Sequence, residues 1–224
     1  MSIQLWRVVQ DQESYYKKIT GLDYEEAFEL NFLLEKSKPL LPSEHEEWDE
    51  LIYTPFRYPL PVGVNFGSRF KAPMANYNLL YASTEKETSF AEAAHHMIAE
   101  RAHLANIEDE VVGKTSFSFD LINIENINDI TKRKDLRLIM SDDYSHSYLY
   151  ASKAIKKANG FKYPSARLAG GVNYAIKEIK ILSKEVRHKE SLAFKFNGNK
   201  RSVEIDKYLG GNLFKYNQQN IFEL

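Results

Sequence analysis

The second half of the chain is dominated by apolar residues that alternate with polar ones, which is the period of β-strands. Four segments have this pattern, and Asn197-Gly198 after the last of them predicts a hairpin with the apolar stretch around Val203. Leu79 to Ala82 and residues 3–9 are short apolar runs that also predict strands. The four alternating segments are residues 117–121, 161–167, 172–180 and 191–196.

Helix signals dominate the first half of the chain. Asp23-Tyr24-Glu25-Glu26 has the spacing of a capping box and predicts a helix that ends near Lys36, before Pro39. The same spacing from Ser43 to Glu46 predicts a short helix carrying Trp48 and Leu51, and from Thr84 to Glu87 it predicts a helix to about His103. A further helix is predicted from about Ser147 to Ala158, ending at Asn159-Gly160. Early helices and late strands together favour an α+β fold over regular βαβ winding.

Two arginines lie in segments rich in proline and glycine. Three prolines between Thr54 and Gly63 predict a rigid, non-helical loop around Arg57, and Gly67 comes shortly before Arg69. A guanidinium group suits bidentate contact with a phosphate, and a glycine lets a ligand approach the backbone closely. The alternative is that either arginine pins its loop to a carboxylate.

Tyr81 and Glu92 are the next candidates. Tyr81 closes a predicted strand, where its ring either joins the core or stacks against a ligand. On the following helix, Phe90, Ala94, Met97 and Ile98 share one face. Glu92 lies on the opposite face with His96, Ala99 and His103, and that face either meets water or lines a cleft.

Metal and nucleophile motifs receive little support. Glu92-Ala93-Ala94-His95 and Glu185-Val186-Arg187-His188 have the Glu-x-x-His spacing of di-iron bundles, but residues 177–196 have a strand pattern, whereas such a site needs four helices. His96, Glu100 and His103 have a possible metal spacing, although a solvated helix face is the commoner explanation. No P-loop, dinucleotide fingerprint or nucleophile elbow is present, and Ser165 after Pro164 is by itself an ordinary structural serine.

Composition narrows the class of protein. The chain has 224 residues, no cysteine and a net charge of −1, but residues 1–112 carry 10 basic and 19 acidic side chains and residues 113–224 carry 20 and 12. Cysteine-free chains suit a reducing compartment, and because we find neither a leader nor a long apolar run, we expect a cytoplasmic protein without a membrane segment. The charge asymmetry suits an anionic ligand or partner, or two surfaces that neutralise each other. No long basic run indicates direct nucleic-acid binding.

Several short motifs follow one another along the chain: Trp6-Arg7, Thr54 to Pro59, Gly67 to Phe70, Leu80 to Ser83, Thr88 to Glu92, Tyr163 to Arg167, Gly170-Gly171 and Asn173. This ordered set resembles the RES domain, the toxin half of Xre-Res toxin–antitoxin pairs. The arginine, glutamate and serine of the family's name map to Arg69, Glu92 and Ser165. The resemblance extends over about residues 5–180, and the strands from 185 to 224 are interpreted as an extension of one domain spanning residues 1–224.

The resemblance implies a compact fold similar to that of ADP-ribosyltransferases, with a mixed sheet and flanking helices around a cleft for NAD. NAD would be the substrate, with no other cofactor and no metal. Glu92 would bond a ribose hydroxyl and stabilise an oxocarbenium-like ribose. Arg69, helped by Arg57, would bind the pyrophosphate, Tyr81 would orient the nicotinamide ribose, and Ser165 would contact the nicotinamide amide.

The implied activity is cleavage of the bond between nicotinamide and ribose, by hydrolysis or phosphorolysis, in a toxin blocked by a cognate Xre-type antitoxin. Protein ADP-ribosylation is one alternative. A catalytically silent binding module is another, suggested by two departures from the family pattern, His95-His96-Met97 and Asn159-Gly160. We also expect either a homodimer or a hetero-oligomer with the antitoxin.

Overall fold

A computed structural model describes residues 2–11, 21–39, 43, 46–57, 67–102, 108–207 and 211–217. In these residues the fold is α+β, as predicted: nine strands form one mixed sheet, and five α-helices accompany it. The strands are β1 (Ile3–Gln10), β2 (Leu80–Ser83), β3 (Glu110–Leu121), β4 (Ile127–Asp129), β5 (Gly160–Pro164), β6 (Val172–Ile176), β7 (Arg187–Asn197), β8 (Ser202–Lys207) and β9 (Asn212–Asn217). The helices are α1 (Tyr24–Ser37), α2 (Glu50–Arg57), α3 (Lys86–Arg101), α4 (Leu136–Ile139) and α5 (Ser145–Ala154).

The strand order in the sheet is β4-β5-β6-β2-β1-β3-β7-β8-β9. Only the β4–β5 pair is parallel among the described strands, and every other pair is antiparallel. β1 follows β3 over eight residue pairs but meets β2 in the single registered pair Trp6–Ser83. The sheet therefore opens between β1 and β2, and the cavity described below lies at this opening.

Helix α3 is held by its apolar face. Phe90, Ala94 and Met97 are buried against residues of β7, β8 and β9, including Phe194 and Tyr216. Apolar burial of this kind stabilises a fold by roughly 25 cal/mol for each Å² removed from water. As the sequence predicts, the opposite face of the helix is left for Glu92.

A predicted capping box is confirmed where its two residues bond each other, and it is wrong where a residue remote in sequence takes one of them. The backbone N–H of Glu26 donates to Asp23 Oδ1 and that of Asp23 donates to a Glu26 carboxylate oxygen, both at 3.0 Å, so the first predicted capping box is confirmed. The predicted box at Thr84 is wrong, because Thr84 Oγ1 donates instead to the carbonyl of Val172, at 3.3 Å. Helix α3 begins after Glu85, whose side chain makes no capping hydrogen bond.

The predicted loop around Arg57 is also wrong in part. Residues 54–57 form the end of α2 with Pro55 inside the helix, while residues 58–66 lie outside the described part of the chain. A proline at this position removes one backbone hydrogen bond of the helix. The fully buried Ile52 anchors this short element to the core. Asp49 Oδ1 accepts from the N–H of Leu51, at 2.9 Å, so the helix begins at Glu50, later than predicted, and Trp48 precedes it.

Several strands and helix α5 differ from their predicted bounds by a few residues. Helix α5 begins earlier than predicted and ends at Ala154, and Gly160 starts β5 instead of ending a helix. The 172–180 segment divides into β6 and a 3-10 turn at Ile179–Ile181. The predicted hairpin is confirmed, with Asn197 paired to Ser202. No helix in the described ranges is both long and apolar enough to cross a lipid bilayer.

Gly160 is required by the close approach of β5 to β6, which gives a test of the fold. A Cβ at this position would lie 2.4 Å from the carbonyl oxygen of Ala175. We expect Gly160→Ala to lower the free energy of unfolding by about 2–3 kcal/mol, measured by urea denaturation. The control is Lys162→Ala on the same strand, which loses only a partly exposed ion pair with Asp129 and should cost below about 1 kcal/mol. Equal losses in the two variants would contradict this packing.

Candidate functional site

A cavity of about 270 Å³ lies at the opening of the sheet. It is bordered by the strands that part there and by helix α3. Its wall includes acidic, basic and aromatic side chains together, which is unusual for a simple packing defect. The polar residues that line it include Arg7, Arg69, Tyr81, Glu92, Arg167 and Asn173.

The half-buried carboxylate of Glu92 is fixed by two side chains from distant parts of the chain. Ser165 Oγ donates to Glu92 Oε1 at 2.8 Å, and Asn173 Nδ2 donates to the same oxygen at 2.6 Å. No hydrogen bond to Oε2 occurs within the described ranges. Glu92 is thus held in one orientation with a second oxygen available to a ligand.

The sheet explains why these donors converge. Ser83 on β2 is paired with Asn173 on β6, and Ser83 Oγ donates to Asn173 Oδ1 at 2.7 Å, which turns the amide nitrogen toward α3. Ser165 follows β5, the other neighbour of β6, and its N–H donates to the carbonyl of Gly171 at 2.8 Å. Three neighbouring strands therefore orient one carboxylate.

Arg69 is nine-tenths buried and lies in a short turn. Its Nη1 donates to the carbonyl oxygens of Ser141, at 2.8 Å, and Ile139, at 3.3 Å. The ring of Tyr144 lies 4.9 Å from the guanidinium carbon, within the range of a cation–π contact. These contacts fix the guanidinium at the cavity wall independently of any ligand.

Tyr81 supports the turn that carries Arg69. Its hydroxyl shares a hydrogen bond with Ser68 Oγ at 2.8 Å and accepts from the N–H of Phe70 at 3.3 Å. Burial raises the pKa of the Tyr81 hydroxyl well above its usual value, so it stays protonated. Tyr81 borders the cavity, while its hydroxyl contacts the side chain of Ser68 and the backbone of Phe70, the two residues that flank Arg69.

A second buried arginine accompanies Arg69. Arg167 is 6% exposed, and its Nη2 donates to Asp142 Oδ1 at 2.9 Å, while Arg69 Nη2 lies 4.0 Å from the same oxygen. The Asp142 side chain is itself 76% exposed. Hydrogen bonding to Arg167 and the positive charges of the two arginines lower the pKa of Asp142, despite an opposing contribution from burial, so it is ionised at neutral pH.

Arg7 carries a third guanidinium to the cavity wall, from β1. Its Nη1 is buried and has no hydrogen-bond partner among the residues that the structure describes. Burial lowers the pKa of Arg7 to about 10, which still leaves it charged at neutral pH. An unsatisfied buried cation is costly, so this group favours an anionic ligand.

The structure brings together four of the five residues singled out from the sequence. Glu92, Arg69 and Tyr81 border the cavity, and Ser165 donates a hydrogen bond to Glu92. Arg57 does not border this cavity. It ends helix α2, where its Nε donates to the backbone carbonyl of Pro39 at 2.8 Å, and not to the carboxylate that the alternative to a phosphate contact had predicted.

Asn173, Arg167 and Arg7 were not selected as site residues from the sequence, although all three stand in motifs that resemble the RES family. The contacts of Asn173 and Arg167 connect separate parts of the chain, since Asn173 lies 81 positions after Glu92 and Arg167 lies 25 positions after Asp142. The sequence offers one local signal for Asn173, which is a polar residue in the otherwise apolar segment of β6. A polar residue of that kind needs a buried partner.

The metal motifs are tested only where the structure describes them, and His103 of the predicted His96, Glu100 and His103 set lies outside the described residues. In the described ranges, no three His, Asp or Glu side chains come close enough to form a metal-ligand cluster. The second Glu-x-x-His motif is not helical, because His188 lies in β7 with a positive φ of 49°.

The fold and cavity define an α+β protein with an oriented carboxylate among buried arginines. The model of the RES domain family matches residues 41–197, which is well over half of the chain. The chain therefore belongs to the RES domain family. The matched range contains Arg69, Glu92 and Ser165, whereas β1 with Arg7 precedes it and β8 and β9 follow it. A comparison with curated proteins finds no match.

His95 follows Glu92 by three positions on helix α3, and its electrostatic environment predicts a testable pH dependence of stability. Burial, followed by the charge of Arg167, lowers the pKa of His95 to about 4. The unfolded chain binds this proton near pH 6.5 and the folded chain only near pH 4, so acidification between these values favours unfolding. Because the ring is partly exposed, we expect a loss of about 1–2 kcal/mol between pH 7 and pH 4.5.

The measurement is urea unfolding of wild type and His95→Gln at both pH values. The variant lacks the titrating ring and should lose less stability on acidification than wild type. His146→Gln, which changes an exposed histidine on α5, is the control. If all three proteins lose stability equally, His95 is not buried in its neutral form.

Proposed function

We propose that this chain cleaves NAD at the bond between nicotinamide and ribose. The observation that carries the proposal is Glu92, whose carboxylate is fixed through Oε1 and keeps Oε2 for a ligand in a cavity lined by arginines. Loss of nicotinamide develops positive charge on the ribose, and a preorganised carboxylate stabilises such charge. Membership of the RES domain family supports the same activity.

Each cavity residue has a proposed task. Oε2 of Glu92 accepts a hydrogen bond from a ribose hydroxyl and faces the developing oxocarbenium ion. Arg69 and Arg167 bind the pyrophosphate, because buried guanidinium groups make strong charge-assisted hydrogen bonds to phosphate. Tyr81 orients the nicotinamide ribose. Ser165, which we expected at the nicotinamide amide, is assigned to holding Glu92, since its hydroxyl already donates to that carboxylate.

The chemistry needs no second acid. Nicotinamide leaves as a neutral molecule from a cationic ring, so the leaving group takes the bonding electron pair and no proton. Water then adds to the anomeric carbon and releases one proton, giving ADP-ribose and nicotinamide. If phosphate is the acceptor, the product is ADP-ribose phosphate, and a protein acceptor would give ADP-ribosylation.

The biological setting is proposed from the family alone. We propose a toxin that depletes NAD in the cytoplasm and is restrained by a cognate Xre-type antitoxin covering the cavity. The fold would be that of ADP-ribosyltransferases, with NAD as substrate and no further cofactor. Arg57 stays a predicted helper at the pyrophosphate, although its contact with Pro39 favours a structural role.

Glu92→Gln tests the charge of the carboxylate with little change of shape. The variant retains an oxygen that can accept from Ser165 and Asn173, so the helix and donors should keep their positions. We expect nicotinamide release to fall by about 10²–10³-fold in kcat, with a small change in KM, measured chromatographically with purified protein and NAD.

The matched control is Glu87→Gln, which removes an exposed carboxylate from the first turn of the same helix. Its rate should stay within about twofold of wild type, as is usual for surface changes. The proposal fails if wild type releases no nicotinamide, or if Glu92→Gln is as active as the control.

Arg69→Ala tests the phosphate contact. Removing a buried charge-assisted hydrogen bond should raise KM for NAD by about 10- to 100-fold while lowering kcat less. Arg137→Ala, an exposed arginine on the neighbouring helix α4, is the control. A change confined to kcat would remove Arg69 from the binding of phosphate and give it a part in the chemical step.

A further inference from the structure

Asp142 is the one acidic side chain in the described ranges that is bonded to a buried arginine of the cavity. It lies in the turn between α4 and α5, where it accepts from Arg167 at 2.9 Å and lies 4.0 Å from Arg69. Both arginines are more than nine-tenths buried, but the carboxylate is 76% exposed. Asp142 thus reaches from solvent to the two cations that would bind phosphate.

We propose that Asp142 is an internal counter-ion that occupies the phosphate-binding arginines in the free protein and is displaced by an anionic ligand. The proposal deepens the proposed function, because it rests on Arg69 and Arg167 as the phosphate site. An ionised carboxylate and a phosphate oxygen have the same charge and accept the same guanidinium hydrogen bonds. They therefore compete for the same donors.

The geometry makes the carboxylate easy to displace. Only the carboxylate end of this ion pair is exposed, with 76% of the Asp142 side chain accessible, so water can solvate the carboxylate when the side chain swings outward. Asp142 is held to Arg167 by one hydrogen bond, whereas the arginines sit in the wall with most of their surface covered. Displacement therefore costs much less than removal of either arginine from the wall.

The arginines do not depend on Asp142 for their position. Without Asp142, Arg69 would still donate to the carbonyl oxygens of Ile139 and Ser141 and contact the ring of Tyr144. Arg167 is anchored through its backbone, whose N–H donates to Ser165 Oγ at 3.0 Å. Removing the carboxylate should leave both guanidinium groups in place but without their nearest negative charge.

The two possible roles of Asp142 predict opposite results. If it competes with the ligand, its neutralisation strengthens anion binding. If it is a positioning residue that aligns the arginines, its neutralisation weakens binding. The sign of the change in affinity therefore distinguishes the roles without any measurement of catalysis.

The experiment is calorimetric titration of wild type, Asp142→Asn and Asp142→Ala with inorganic pyrophosphate and with ADP-ribose. We expect the dissociation constant for pyrophosphate to fall by about tenfold in both variants, as for the loss of one competing charged hydrogen bond. Asp143→Asn is the matched control, because Asp143 is adjacent, exposed and bonded to Ser145, and it makes no ion pair with an arginine of the described ranges. It changes net charge equally and should alter affinity by less than about twofold.

Unchanged or weaker pyrophosphate binding in the Asp142 variants, no binding by any protein, or equal tightening in Asp143→Asn would overturn the proposal. Thermal unfolding confirms that each variant is folded. Nicotinamide release by wild type is measured separately. Release without tighter binding by the variants refutes the counter-ion and leaves the proposed function intact, whereas tighter binding without release supports the counter-ion and refutes NAD cleavage.

Discussion

The carboxylate of Glu92 extends from helix α3 and is held by side chains on or next to three neighbouring strands. Its Oε1 accepts from Ser165 and Asn173, and Asn173 is itself oriented by Ser83. A buried acceptor of this kind requires fixed donors, and each donor requires its strand to be in register. The sheet order β5-β6-β2 and the packing of α3 are therefore both conditions for one oriented carboxylate.

Charge in the cavity follows from the same constraint. The donors to Glu92 are the neutral side chains of Ser165 and Asn173. The three arginines of the wall therefore make no hydrogen bond to this carboxylate within the described ranges. Arg167 is compensated by a carboxylate at the surface, and Arg7 has a buried nitrogen with no partner within the described ranges. A site built in this way has a negative group for a developing cation and positive groups for phosphates, which is the division of charge that NAD cleavage needs.

The sequence predicted features whose partners are close along the chain. The reciprocal bonds of Asp23 and Glu26, the apolar face of α3 and the hairpin after Asn197 depend on neighbouring residues alone. Thr84 failed as a cap because Val172, which is remote in sequence, takes its hydroxyl. Pro55 stands inside a helix because burial of Ile52 overrides local preference.

The same limit applies to the site. Local features singled out Arg69, Tyr81 and Glu92, and only the family resemblance added Ser165. The assembly of these residues at one cavity depends on contacts that no local pattern encodes. Asn173, Arg167 and Arg7 act through partners or surfaces brought together only by the sheet. The proline-rich surroundings of Arg57 predicted a loop, whereas Arg57 ends a helix and binds the carbonyl of Pro39.

The most direct test is a crystal structure of Glu92→Gln with NAD bound. We predict that the side chain at position 92 still accepts from Ser165 and Asn173, with the anomeric carbon of the nicotinamide ribose within about 4 Å of its other terminal atom. The pyrophosphate should contact Arg69 and Arg167. NAD bound outside this cavity, or bound in it with the ribose remote from position 92, would contradict the proposed role of Glu92.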